Sequence, residues 1–415
     1  MVRSLYALIV HHYWNRAGGG ELVCASFAKV FEFTGLKPVL GSMTKIDVSK
    51  YPEWFGIDLS RYDKVDLDIK LRAFGLYLRL MGSFIIHRAF RKYHPEVVFT
   101  DVPTYKHAVN TIKKHSSKLI EYIHFPYEAW FSRKLTQFNL MEDPYIVERY
   151  GKFPMNTYFR VFVKLLPFTL RENPFEVADI VFANSMWTAN LVKRIHGESP
   201  IVLNPPIPPN TGVVERVKPF ILRKNSVVMV GRFSEEKRYH WVLQEVFPRL
   251  KKVCSDVRLY IFGATGTRTA RAYYARLFEL AKSMGFKVSA SLGVDADVYL
   301  VENAPRSVIN DVMDRAKVFL HATINEHWGI AVAEAMARGL PIVVHKSGGT
   351  WSDLASEGLY GLGYTNVEEA VEALAKLVTN SNTWNLYTQK SIEKARELTF
   401  NKFIEKSSTL VKRIL

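Results

Sequence analysis

Residues 321–353 read HATINEHWGIAVAEAMARGLPIVVHKSGGTWSD. They follow an apolar run at 318–320 that ends a buried strand, and they place Glu326 ahead of Ile330, Val332, Ala333, Ala335 and Met336 at helical spacing. The pattern predicts a helix beginning near His327. Glu326 and Glu334 stand eight residues apart, so on that helix they share roughly one face, with backbones about 12 Å apart. Carboxylates that flank a single bond in a hydrolase lie about 5 to 9.5 Å apart; this pair is spaced instead to touch opposite ends of one elongated ligand. Residues 341–345 then predict a strand, and Gly348-Gly349 a turn into a further helix, a second place where backbone N–H groups face an anion. That layout suits a nucleotide sugar.

The chain of 415 residues exceeds the usual size of one core, and its 48% hydrophobic and 13% aromatic content is enough for two. Lys and Arg number 56 against 40 Asp and Glu, a net charge of +16 that favours an anionic partner: nucleic acid, an anionic membrane surface or a phosphorylated substrate. Cys24 and Cys254 are the only cysteines, far apart in the chain, which argues against both a disulfide framework and a thiolate metal site and fits a reducing cytosol. The opening MVRSLYALIV is followed by Tyr, His and Trp with no small-residue cleavage site, which argues against a signal peptide. No window approaches the apolar length of a membrane span.

In chain order, residues 5–10 predict a buried strand leading through HHYWNRA to Gly18-Gly19-Gly20-Glu21 and a helix to about Phe33. Glycine there lets a phosphate or sugar approach a helix N-terminus, although GGG lacks the dinucleotide fingerprint spacing. Residues 39–40 close a short strand and 50–64 read as a polar and aromatic connection. Residues 69–95 contain no acidic residue but carry Lys70, Arg72, Arg79, Arg88, Arg91 and Lys92, and are expected to form a long core helix with snorkelling cations. Strands at 97–100 and 118–123 end in Asp101 and in His124-Phe125-Pro126, and ligands of open parallel sheets collect at such ends. Residues 133–171 form a second basic and aromatic region, read either as a lipid-facing amphipathic face or as a helix covering the sheet. A strand at 178–183 precedes a helix at 187–195 capped by Asn184 or Ser185.

Four prolines within residues 204–210 mark a domain boundary. Beyond it, a strand at 226–230 enters Gly231-Arg232-Phe233-Ser234-Glu235-Glu236-Lys237, in which Arg232 and Lys237 form a credible diphosphate clamp. Strands at 257–262 and 287–290, helices at 303–315 and 367–379, and helical patterns over 385–415 complete the chain. No metal-binding motif is found.

Glu326 with Glu334, Gly231-Arg232 with Lys237, the glycine loop after the first strand and His124 after a later one resemble, in that order, the family 4 retaining glycosyltransferases. Three stretches, Tyr122-Ile-His-Phe-Pro126, Asn184-Ser-Met-Trp-Thr-Ala-Asn190 and Phe319-Leu-His-Ala-Thr-Ile-Asn-Glu-His-Trp-Gly-Ile330 with Ser347-Gly-Gly349, are similar to the eukaryotic alpha-1,2-mannosyltransferases that extend dolichol-linked oligosaccharide with GDP-mannose.

The resemblance implies an α/β protein of GT-B fold, two doubly wound parallel-sheet domains facing across a cleft. Residues 1–205 would bind the acceptor and 206–395 the nucleotide sugar, with a C-terminal helix at 396–415 returning to the first domain. It places Gly19 and Gly20 near donor phosphates and acceptor, and His124 near the reacting sugar. Gly231, Arg232 and Lys237 would hold the diphosphate and Glu326 the donor-sugar hydroxyls. Backbone N–H groups at Trp328, Gly329 and Ile330 would meet sugar or phosphate, and Glu334 the ribose. It implies no cofactor and no metal, GDP-mannose as donor, a glycan or lipid-linked glycan as acceptor, no nucleic acid, and a peripheral cytoplasmic place on an anionic membrane face. The base of the donor is expected to be read by unpatterned loops, 293–305 among them. The competing readings are the same chemistry on a soluble acceptor with another nucleotide sugar, and a basic nucleic-acid-binding protein, which lacks any recognised module.

Overall fold

The computed structural model describes residues 5–70, 75–131, 146–147 and 150–415. The chain forms two compact units, Met1–Pro209 with Phe400–Leu415, and Asn210–Thr399, so the division falls at the end of the proline-rich segment. Among the described residues no helix is long and apolar enough to cross a membrane.

The first unit is built on a seven-stranded parallel sheet: β1 (Tyr6–Val10), β2 (Lys37–Ser42), β3 (Asp63–Asp66), β4 (Val97–Thr100), β5 (Lys118–Ile123), β6 (Ile180–Ala183) and β7 (Ile201–Val202). Its spatial order is β3-β2-β1-β4-β5-β6-β7. The central strands are apolar without alternation because helices cover both faces. Helix Gly19–Phe33 lies on one face, where Phe27 stacks on Phe99 of β4 at 4.1 Å. Phe403 of the helix Phe400–Lys412 closes edge-on against the same ring at 5.6 Å, which attaches the C-terminal segment to this unit.

In the second unit β8 (Lys224–Val230), β9 (Arg258–Gly263), β10 (Val288–Ser289), β11 (Val298–Glu302), β12 (Ala316–His321), β13 (Ile342–His345) and β14 (Leu362–Tyr364) form another seven-stranded parallel sheet, ordered β10-β11-β9-β8-β12-β13-β14. Strand order reverses between β1 and β4 in the first sheet and between β8 and β12 in the second. The carboxyl ends of these pairs are the switch points where an open α/β sheet leaves a crevice.

Several expectations change. The long helix over 69–95 is instead a 3₁₀ turn at Tyr77–Met81 followed by helix Gly82–Phe90. Arg72, expected within it, lies outside the described residues, as does Arg133 of the second basic region. Gly82, the first residue of that helix, sits where an added Cβ would lie 3.0 Å from the Thr104 carbonyl oxygen, and the change from 3₁₀ turn to helix falls at Met81, which leaves helical φ/ψ. Strand β3 was concealed in a polar segment because it is an edge strand in which only Val65 is buried. Residues 293–305, expected as loop, contain β11. The pattern over 385–415 breaks into helices Ser381–Glu397 and Phe400–Lys412, which belong to different units.

Candidate active site

At the switch point of the second sheet, β8 and β12 run side by side with Val228 opposite Phe319. Gly231 follows β8. A Cβ there would meet the Tyr239 hydroxyl at 2.9 Å and Cε of Lys237 at 3.2 Å, so glycine leaves the room through which the lysine stem passes. Lys237 Nζ then donates to Oε2 of Glu326 at 2.6 Å. From the end of β12, His321 Nε2 reaches the same oxygen at 3.1 Å.

Glu326 is not on the helix that follows it. Asn325 is left-handed at φ 54 and Gly329 at φ 94, and helix Ile330–Ala337 begins only after them. The helical estimate of the Glu326 to Glu334 separation therefore does not apply: the first carboxylate belongs to a turn, the second to the helix. Gly349, expected to offer its N–H to an anion, donates it to the Glu326 carbonyl at 2.7 Å. Gly348 at φ 72 passes so close that a Cβ would lie 2.2 Å from that carbonyl oxygen. The Ser347-Gly348-Gly349 turn thus clamps the backbone of Glu326, aided by a 2.8 Å bond from Asn325 N–H to Ser347 Oγ.

Burial opposes ionisation of Glu326, but the Lys237 ammonium and the His321 hydrogen bond outweigh it and hold the carboxyl well below the ordinary range. His321, enclosed by the same burial and beside a cation, is held below the ordinary histidine value despite its bond to Glu326. Arg232 lies half exposed on the loop after β8 and donates to Glu236 at 3.3 Å; Ser234 Oγ donates to the same carboxylate at 2.6 Å.

Glu334 is 2% exposed. Burial raises its pKa against the pull of Arg306, whose guanidinium forks onto both carboxylate oxygens at 2.9 Å. Each carboxylate oxygen has a second acceptor direction, so the pairing leaves capacity for hydroxyl donors. The N-cap of helix Ile330–Ala337 is Gly329, with no side chain to bond the first N–H groups, which keeps them available to an anion or sugar oxygen. Trp328 is buried at 3% exposure, and its indole N–H has no hydrogen-bond partner among the described residues.

The first unit has its own cluster at the β1/β4 switch point. His11 follows β1 and Asp101 follows β4; His11 Nδ1 donates to the two Asp101 oxygens at 2.7 and 2.8 Å. His124, at the end of β5, donates from Nε2 to Asp101 at 3.2 Å. Gly20 lies beneath all three: an added Cβ would be 3.0 Å from His11, 3.1 Å from Asp101 and 3.5 Å from His124. Gly19 opens the helix above Gly18, again without a side-chain cap. Burial disfavours charge on His11, yet Asp101 overrides it and holds the imidazole well above the ordinary value. The same pairing overcomes burial at Asp101 and keeps its carboxyl well below the usual range.

Cys24 completes a set with His11 and Asp101 whose ligand atoms lie within 4.8 Å of one another. Burial pushes its thiol up to about 12, and Asp101 is engaged by the two histidines, so the set is organised as an ion-paired network.

Sequence reasoning singled out Glu326, Lys237, Arg232, Glu334 and His124, together with Gly19, Gly20, Gly231, Trp328, Gly329 and Ile330. The structure brings Lys237 and Glu326 into contact and gathers Gly20 with His124. Sequence reasoning missed His11, His321 and Arg306 as partners of these groups. Position at the carboxyl end of a buried strand, His11 just after β1 and His321 as the last residue of β12, was the available signal for the first two, whereas Arg306 had none.

The family description for glycosyl transferases group 1 matches residues 214–397. Among curated proteins the chain is 26% identical to a GDP-Man:Man(3)GlcNAc(2)-PP-Dol alpha-1,2-mannosyltransferase of Caenorhabditis elegans, over 97% of this chain and 92% of that protein. It is 23% identical to the protein of the same name from Dictyostelium discoideum, over 94% and 80%. With the Eremothecium gossypii protein of that name it shares 26% identity over 48% of its own length, and it spans only 32% of that relative. Among solved structures it is similar to Anabaena HepE in complex with UDP and glucose, with a TM-score of 0.65 and 14% identity over 98% of this chain and 99% of that one. WaaG, a glycosyltransferase involved in lipopolysaccharide biosynthesis, gives a TM-score of 0.64 and 13% identity over 97% and 99%. Two doubly wound units with this likeness, and the match of residues 214–397 to the glycosyl transferases group 1 description, lead to one conclusion: the chain has the GT-B fold, and its second unit is similar to the glycosyl transferases group 1.

Proposed function

We propose that this chain moves mannose from GDP-mannose, with retention, onto a lipid-linked glycan, acting peripherally on the cytosolic face of a membrane. The observation that carries the chemistry is the Lys237–Glu326 pair, 2.6 Å apart at the switch point of the second sheet. The names of relatives that align along nearly the whole chain support the donor and the acceptor class.

When the glycosidic C1–O bond breaks, negative charge collects on the departing diphosphate. Lys237 and Arg232, already on the loop after β8, neutralise it without reorganisation, the kind of preset electrostatics that contributes most to catalysis. Glu326, whose carboxyl Lys237 and His321 hold well below the ordinary range, accepts hydrogen bonds from donor-sugar hydroxyls. The uncapped N–H groups at Gly329 and Ile330 meet sugar or phosphate oxygens, and Glu334 accepts from the ribose hydroxyls while Arg306 offsets part of the cost of burying its charge. The acceptor oxygen bonds to C1 on the face the diphosphate leaves, and its proton passes to a phosphate oxygen of the leaving group. His124, oriented by Asp101, serves the reacting sugar. No step calls for a metal.

The test is product release with GDP-mannose against UDP- and ADP-sugars, with a lipid-linked oligosaccharide acceptor. Turnover of GDP-mannose alone supports the reading. Turnover confined to a UDP-sugar, or to a water-soluble acceptor, overturns the donor or the acceptor assignment respectively.

A further inference from the structure

The helix Met155–Thr169 is apolar on two sides. Its inner face, Phe159, Phe162 and Leu166, is at most 1% exposed and packs into the first unit's core. It is held there by hydrogen bonds from Tyr77 Oη to the Tyr158 carbonyl at 2.8 Å and from Leu76 N–H to Tyr158 Oη at 3.1 Å. The outer face should then be polar, and it is not. Val161, Leu165 and Phe168, successive turns of one stripe, are 44%, 38% and 69% exposed, and Phe153 just before the helix is 81% exposed. Arg160 and Lys164 are exposed one residue from Val161 and Leu165 on the same side, Lys152 is exposed before the helix, and residues 152–169 contain no Asp or Glu.

We propose that this outer face docks on an anionic lipid bilayer, with Phe168, Leu165, Val161 and Phe153 entering the headgroup boundary and Lys152, Arg160 and Lys164 meeting lipid phosphates. Apolar tips interleaved with cations whose stems lie along the same stripe suit a surface that is apolar below and anionic above. A nucleic acid would use the cations and leave the aliphatic stripe exposed. The proposal names the surface that delivers the lipid-linked acceptor in the function above and rests on that reading for its purpose. Vesicle binding is measured without sugar transfer, so either can fail alone.

The experiment is co-sedimentation of the full chain with vesicles of phosphatidylcholine alone and of phosphatidylcholine with phosphatidylglycerol. The chain is expected to pellet with the anionic vesicles and to be released by high salt. Neutralising Lys152, Arg160 and Lys164 to Gln weakens binding roughly fivefold per cation. The variant V161S/L165S/F168S, with thermal unfolding as the check on its fold, weakens binding at least about tenfold. With Cys24 and Cys254 buried, Phe168→Cys carries an environment-sensitive fluorophore whose emission shifts to the blue on anionic vesicles. Failure to pellet, unchanged binding in both variants, or loss only in the charge variant, which is the signature of simple polyanion binding, overturns the proposal.

Discussion

Lys237 and Glu326 stand 89 positions apart in the chain and meet at 2.6 Å, where the loops after β8 and β12 converge. Their side chains are only 16% and 20% exposed, so the charges interact with little solvent screening. Removing one partner should do more than remove a contact. Lys237→Met and Glu326→Gln are each expected to lower transfer by at least about 10²-fold. Lys237→Met also costs about 2 kcal/mol of stability, less than for a fully buried pair, and the double variant recovers part of that stability but no activity. Steady-state kinetics and urea unfolding of the two single variants and the double variant check this; near-normal turnover in either single variant would sink the site assignment.

The depressed pKa of Glu326 sets an acid limit. A carboxyl held lower in the folded chain than its ordinary value of 4.5 contributes stability that is fully present above 4.5 and is lost as pH falls through the folded value. Unfolding curves from pH 7 to pH 3 should show the stability gap between the native chain and Glu326→Gln constant down to about 4.5 and closing below it.

His11 behaves in the opposite sense. Its folded pKa is raised above 6.5, so its pairing with Asp101 stabilises fully below 6.5 and fades as pH rises through the folded value. The stability advantage of the native chain over His11→Gln is expected to be level from pH 5 to 6.5 and to shrink on the alkaline side. An advantage that grew with pH would contradict the ion pair.

Gly348 and Gly35 both have positive φ, but only Gly348 lies against a backbone, 2.2 Å from the Glu326 carbonyl, whereas nothing lies within 4 Å of a Cβ at Gly35. Gly35→Ala should cost about 1 kcal/mol, the left-handed penalty alone, with activity intact. Gly348→Ala should cost about 3 kcal/mol or more and abolish transfer by displacing Glu326. Thermal melts and turnover of the two variants separate the effects.

Asp101→Asn keeps the shape at the β1/β4 switch point but removes the charge that orients His124 and holds His11 charged. Transfer should fall by about 10²-fold, as it should in His124→Ala, and the two losses should not add, because both act through one imidazole. Additive losses in the double variant would separate the residues.

Alternation of apolar runs with glycine turns and helical periods determined, from sequence, that there would be parallel sheets, because strands buried on both faces must be apolar throughout and their crossovers must be amphipathic. The same local logic singled out Gly231, Lys237 and Glu326, which sit on the turns after β8 and β12, and Glu334 on the helix that follows β12. It misjudged elements whose burial is slight or divided: β3 with one buried side chain, β11 inside an expected loop, and the break at 398–399 between helices of different units. Only the tertiary structure decided who partners whom. Lys237 on Glu326, Arg306 on Glu334 and His11 on Asp101 are pairings across 89, 28 and 90 positions. Periodicity carries no information at such separations: strand order at a switch point joins Lys237 to Glu326 and His11 to Asp101, and the helices after β11 and β12 bring Arg306 to Glu334.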